Sequence, residues 1–450
     1  MKRIVAVLTL LLSAGTSYSQ QTRTLEECRQ LAIRNNKELQ IAGTRIKVAQ
    51  NEKNAAFTKY FPEVSGTGLY LWNQKNLKLV DFSELGLVGE ILPDRVKDFF
   101  TLDIHNVWIG GISLIQPVFS GGRIVNYNHI ADYATQLARS MNDLTLQNVL
   151  YLTDQAYWQV VSVTNKKQLA DAYVELLQQM DRNVTAMIEE GVATKAEGLS
   201  VRVKLNEAEV AQTKAENALA LSRMLLAQIC GLPLEEPFKL ADENIEFFPT
   251  STRTEVAHVD EAFANHQELK SLEIATRIYK KKEQIALGEM LPTVGVLANY
   301  SVMNPNLKNG PKHEFAGGFH VGVSVSVPIS GWWEGTYKRN AARAETHIKR
   351  LELEAAKEAI ELEVHQSVYK ANEAKKKLVA SNKNMESAEE NLRYATYGFE
   401  EGVIPALNLM EAQTAWVSAR SELIDSQIEV KLTEVYLEKA LGRLTPEDIK

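Results

Sequence analysis

The chain has 450 residues, 45% of them apolar and 24% charged, with a formal net charge of -7. That balance fits a folded protein and leaves no basic footprint for nucleic acid. The 8 His are dispersed and the 2 Cys form no CxxC pair, and no Walker loop, H-E-x-x-H or G-x-S-x-G occurs. Neither an enzyme nor a metal or other cofactor is therefore expected.

Residues 1–19 read as a secretory signal peptide: Lys2 and Arg3, an apolar core from Ile4 to Leu12, then Ser17, Tyr18 and Ser19. The core is too short to cross the roughly 30 Å of hydrocarbon that an anchor must span. No later run approaches the ~20 apolar residues of a spanning helix, so insertion into a membrane would have to use strands.

The first repeat covers 20–249. A helical pattern runs from Thr24 to Tyr60, with Thr24 as N-cap and Glu27 at the capping-box position. Phe61-Pro62 ends it. Over 62–73, Val64, Gly66, Gly68, Tyr70 and Trp72 alternate with their neighbours as a strand does. Asn73 to Asp103 reads as a loop with a short helix around Phe82 to Leu87, and 105–118 as the returning strand, with Trp108, Ile112 and Leu114 on one face.

Ser120-Gly121-Gly122 then feeds a long helix over 123–190, which lacks Gly and Pro altogether and would extend roughly 100 Å. Within it Tyr173, Leu177, Met180, Val184 and Met187 take the spacing of a coiled-coil seam. It stops at Glu189 to Val192, a return helix is expected over 199–230, and a Pro-bearing linker over 231–249 follows.

The second repeat, 250–450, has the same order: helix 254–287, strands 292–303 and 315–328, long helix 336–397, return helix 406–441 and a C-terminal tail. One interval relates Glu38 to Glu268, Pro62 to Pro292 and Tyr70 to Tyr300; a second relates Pro117 to Pro328 and Gly191 to Gly402. A single insertion between Pro62 and Pro117 accounts for the change, as in a duplicated chain. The first return helix is shorter than the long helix it would retrace, so the first helix of the second repeat is expected to complete the path.

The second hairpin alternates sharply. Phe319, Val321, Val323, Val325 and Val327 oppose His320, Gly322, Ser324 and Ser326. Each strand has about 12 residues, enough for a tilted strand to cross a bilayer. Four strands with two bare edges cannot stand in hydrocarbon, where every backbone N–H and C=O must be paired, so the chain would have to oligomerise. Tyr70, Trp72, Tyr300, Trp108 and Phe319 would form an interfacial girdle. The competing readings are a soluble sheet packed on the helices and a soluble periplasmic coiled-coil scaffold. Cys28 and Cys230 stand near helix ends; an exported chain permits their pairing, and two small buried side chains are the alternative.

The repeated order of helix, hairpin, long helix, tip and return helix resembles the TolC-type outer-membrane efflux channels over essentially the whole mature chain. The strand entries at Phe61-Pro62 and Leu291-Pro292 carry the likeness, as do the exits Gln116-Pro117-Val118-Phe119-Ser120-Gly121-Gly122 and Val327-Pro328-Ile329-Ser330-Gly331. So do the Glu-Gly-Val tips followed by Leu409, Ala412-Gln413 and Ala419.

The resemblance implies a mainly α fold with transmembrane β: a homotrimer whose chains give four strands each to a 12-stranded barrel in outer-membrane lipid, continued by a periplasmic α-helical tunnel. It implies a passive exit duct of a tripartite efflux pump, or of a type I protein secretion system. Its partners would be copies of itself, a periplasmic adaptor and an inner-membrane transporter, and that transporter would choose the cargo. The tips Gly191, Val192, Gly402 and Val403 would dock the adaptor. Acidic side chains six and nine residues past the second tip glycine would close the pore; here these are Asn408 and Glu411, a departure that leaves one carboxylate, with Glu197 at the comparable place in the first repeat. Glu197 and Glu411 can equally be solvated helix-surface charges. His320 is expected to line the lumen.

Overall fold

The computed structural model describes residues 21–80, 86, 91–243, 256–306 and 312–444. The expected signal peptide, most of the short helix expected around Phe82 to Leu87, the linker beyond residue 243 and the C-terminal tail lie outside the described residues. The chain divides into two compact units, one of residues 1–46, 138–271 and 353–450 and one of residues 47–137 and 272–352.

In chain order the first repeat holds β1 (Gln21–Arg23), α1 (Leu25–Asn35), α2 (Lys37–Thr58), β2 (Glu63–Trp72), β3 (Leu77–Lys78), α3 (Asp94–Phe99), β4 (Thr101–Leu102), β5 (Asn106–Ser120), α4 (Arg123–Glu189), α5 (Lys195–Cys230) and β6 (Phe238–Leu240). The second holds α6 (Val259–Asn265), α7 (Gln267–Gly288), β7 (Thr293–Asn304), β8 (Ala316–Ser326), α8 (Gly331–Glu400) and α9 (Ala406–Ala440). The long helices have 67 and 70 residues and the return helices 36 and 35.

Thr24 caps α1 reciprocally: its hydroxyl accepts from the Glu27 N–H at 3.2 Å while its own N–H donates to Glu27 Oε2 at 3.0 Å. The helix expected from Thr24 to Tyr60 is nevertheless two helices. Asn36 leaves the helical region and turns its Oδ1 to the N–H groups of Glu38 and Leu39 at 2.9 and 3.3 Å, so one residue ends α1 and starts α2. The helix expected over 254–287 also breaks, at His266, where the backbone is extended.

Three further boundaries differ from the sequence reading. The return helix begins at Lys195 rather than 199, because Thr194 and Glu197 form a second capping box. The second long helix spans Gly331–Glu400 rather than 336–397; its glycines are places of close approach and not breaks, and a Cβ at Gly335 would strike the Met290 side chain. The segment after α5 is not wholly irregular, since β6 pairs in parallel with β1, Thr22 opposite Lys239.

In the unit of 1–46, 138–271 and 353–450, one core gathers Tyr157, Trp158, Val160, Val161, Leu226, Phe238 and Leu240. A second gathers Leu269, Ile360, Val364, Leu437 and Leu441. The same unit holds an ion pair with one fully buried partner. Arg29 grips the fully buried Asp154 carboxylate with two N–H groups, one at 2.7 Å to Oδ1. Burial pushes the Asp154 carboxyl up, and the Arg29 hydrogen bonds act against that rise.

In the other unit β2, β5, β7 and β8 form an antiparallel sheet in the order β2-β5-β7-β8. Among the described residues β2 and β8 each pair on one side only.

Candidate functional site

The register sorts the sheet into two faces. Val64, Leu114, Ala298 and Val321 lie in one row across all four strands, and Gly66, Ile112, Tyr300 and Phe319 in the next. On the other face Ser65, Ser113, Asn299 and His320 share a row, with the two serine hydroxyls 2.8 Å apart. Leu69, Ile109, Ile115 and Leu297 interrupt that polar face. A sheet packed on its own helices would bury its apolar face. Here Val64, Ile112, Phe319 and Val321 are 62%, 59%, 67% and 63% exposed.

Pro62 and Pro292 stand just before β2 and β7, and Pro328 just after β8. Pro117 does not end its strand: β5 continues to Ser120, with a register shift between Pro117 and Phe119. A proline lacks the N–H that a ladder needs, and a bulge is where a strand tolerates that loss. Gly121 and Gly122, both at positive φ, then turn the chain into α4, and Gly121 lies so close to Gly288 that no Cβ fits.

At the hairpin ends Asp103 accepts from the His105 N–H at 3.0 Å and faces His105 Nδ1 at 2.8 Å and His313 Nε2 at 3.1 Å. Nothing in the sequence marked this contact between the two hairpins, because it depends on their register.

The tips belong to the other unit. At the first, the N–H groups of Val192 and Ala193 both reach the Met187 carbonyl, at 2.9 and 3.1 Å, and Gly191 has φ 77°. At the second, Val403 and Ile404 reach the Gly398 carbonyl at 2.8 and 3.1 Å, and Gly402 has φ 70°. Met180, Val184, Val201, Ala406, Leu409 and Met410 pack together beneath the turns, which includes part of the seam read in α4. Val192 and Val403 stay outside that core, 67% and 77% exposed.

Asn408 and Glu411 are both exposed, on the side of α9 away from the buried Leu409, Met410, Ala412 and Gln413. Glu197 is engaged locally: its Oε2 accepts from the Thr194 N–H at 2.7 Å and from the Thr194 hydroxyl at 2.9 Å. Those hydrogen bonds, from the backbone first, hold its carboxyl below the usual range. No hydrogen bond joins Glu197 to Asn408 or Glu411 among the described residues. No group of His, Cys, Asp and Glu among the described residues could hold a metal, and no described helix is long and apolar enough to cross a membrane.

The family model for outer membrane efflux proteins matches residues 28–232 and 258–443, one match for each repeat. The chain belongs to that family. Its place is the outer membrane, and its relatives are channel proteins rather than enzymes. The outer membrane protein TolC of Vibrio cholerae is 22% identical over 75% of this chain and 77% of its own length. The alkaline protease secretion protein AprF of Pseudomonas aeruginosa is 21% identical over 82% of this chain and 75% of its own. Among solved structures, the Campylobacter jejuni CmeC outer membrane channel superposes with a TM-score of 0.77 at 14% identity, over 93% of this chain and 85% of that one.

Proposed function

We propose that three copies of this chain close a twelve-stranded barrel in the outer membrane, continued by a helical tunnel, and form the passive exit duct of a tripartite efflux pump. The observation that carries this reading is the sheet, with an open apolar face and, among the described residues, two strands paired on one side only. Hydrocarbon leaves no backbone group unpaired at tolerable cost, so β2 of one copy must meet β8 of the next. The duct has no enzymatic role and needs no cofactor. Mass measurement in mild detergent tests the assembly: a trimer is expected, and a stable membrane-inserted monomer would overturn it.

In this reading Gly191, Val192, Gly402 and Val403 dock a periplasmic adaptor, through which an inner-membrane transporter is coupled. Two valines left outside the tip core support that role. Val403→Arg with Gly402→Asp is expected to abolish efflux while the trimer still assembles; unchanged solute tolerance would remove the docking role. Asn408 and Glu411 line the aperture, where three Glu411 carboxylates concentrate cations. In planar bilayers Glu411→Gln is expected to reduce cation preference, and unaltered selectivity would make Glu411 a plain surface charge.

Polypeptide export is the second reading, favoured by the likeness to AprF. In-cell crosslinking from the tips separates the two by the class of inner-membrane transporter recovered.

A further inference from the structure

We propose that Cys28 and Cys230 are joined as an intramolecular disulfide in the mature exported protein. Both side chains are 1% exposed in one core, and the Cys230 thiol lies 3.5 Å from the Cys28 carbonyl oxygen. The neighbouring Cys230 thiol, with burial beside it, pushes the Cys28 thiol up. In the structure both are free.

Neighbouring contacts fix the separation of the two backbones. Asn35 and Asn36 donate to the carbonyls of Cys230 and Ile229 at 3.4 and 3.0 Å, tying the end of α1 to the end of α5. Gly231, at φ 67°, packs so tightly on Asn35 that a Cβ would come within 2.5 Å of the Asn35 Cβ. Bond formation therefore asks for a thiol rotation and a small approach rather than a new arrangement of helices.

An outer-membrane protein reaches its place through a compartment where disulfides form and persist. These are the only 2 Cys of the chain, so no competing pairing exists within it. Each thiol gives up its proton and one Sγ–Sγ bond forms; the two electrons pass to an acceptor disulfide, of a protein or a small molecule, which leaves as two thiols. The exchange runs through a mixed disulfide while α1 is still undocked, since the folded core shields both sulfurs. The bond would clip the N-terminal helix to the end of α5 across the whole of the first hairpin and α4.

The test uses the full-length protein in its own outer membrane. Cells are quenched in acid, the chain is denatured without reductant, and free thiols are alkylated before mass measurement. The expected result is no alkylation before reduction and two alkyl groups after it, with a Cys28–Cys230 peptide pair about 2 Da lighter than its reduced parts. Two alkyl groups without reduction would overturn the proposal, and so would a reducible band at twice the chain mass. The measurement is made on the wild type and does not depend on any variant folding. It is also independent of the trimer and the pump, so its failure leaves the duct reading intact.

Discussion

At Gly191 and at Gly402 the backbone makes the same left-handed step and the same pair of hydrogen bonds to the residue four before it, yet the helices that follow start differently. After the first tip, Thr194 and Glu197 cap α5 with each other. After the second, the same interval brings Pro405 and Asn408, and α9 has no side-chain cap. The turn is a backbone property that glycine secures; the helix start is side-chain chemistry and is free to diverge. The acid of the first tip is committed to its own helix, whereas among the described residues no side-chain hydrogen bond or ion pair engages Asn408 or Glu411 of the second. A like contrast lies in the two cores. In the first repeat a partly buried Arg29 holds the buried Asp154, while Val259 and an exposed His365 hold their places in the second.

The core contrast yields the largest expected effect. Arg29→Ala leaves the Asp154 carboxylate buried without its partner and should cost about 3–5 kcal/mol. Arg29→Met with Asp154→Leu removes both charges and should recover most of that loss. Denaturant unfolding in detergent checks both. If the single and double variants are equally unstable, the loss comes from packing and not from the orphaned charge.

Much of the architecture was legible because it rests on what the chain lacks. Long stretches free of Gly and Pro became α4 and α8, and alternation with Pro at the entries became β2 and β7. The breaks at Asn36 and His266 were missed because neither residue punctuates a helix by itself; Asn36 does so only once its side chain turns to Glu38 and Leu39. The start of α5 was misjudged for the opposite reason. The helix expected over 199–230 starts just past Gly198, although Thr194 and Glu197 already spelled a capping box. Gly198 serves close packing, since a Cβ there would meet Ile188 Cδ1 at 2.8 Å. Of the candidate site, the tips were legible as Glu-Gly-Val, but the engagement of Glu197 was not, because an acid six residues past a tip looks the same whether it caps or lines a pore.

The shared turn predicts equal costs. A Cβ at Gly191 or Gly402 would meet nothing within 4 Å, so only the left-handed backbone opposes substitution. Gly191→Ala and Gly402→Ala should each weaken the local tip by about 1–2 kcal/mol. Amide exchange by mass spectrometry should show matching losses of protection beneath both turns. A loss confined to one tip would mean that the two backbones are not equivalent in solution.

The helix starts predict a smaller, one-sided effect. Thr194→Ala should cost the first tip about 1 kcal/mol, roughly a fivefold loss of protection at the start of α5. Pro405→Ala should cost α9 little, because no side-chain cap is lost. Acid should reproduce the first loss. The Glu197 carboxyl is held below its ordinary value by the Thr194 hydrogen bonds, so its contribution is complete above the unfolded value of about 4.3 and fades as pH falls through the lower folded value. Amide exchange from about pH 6 to pH 3, corrected for intrinsic rates, should therefore show α5 loosening at its start before α9 does. Thr194→Ala should erase that difference, and grafting Pro405→Thr with Asn408→Glu should give α9 the same acid response. If the graft gains no protection near neutral pH, the first tip owes its order to Ile188 packed on Gly198, and the capping box only follows from it.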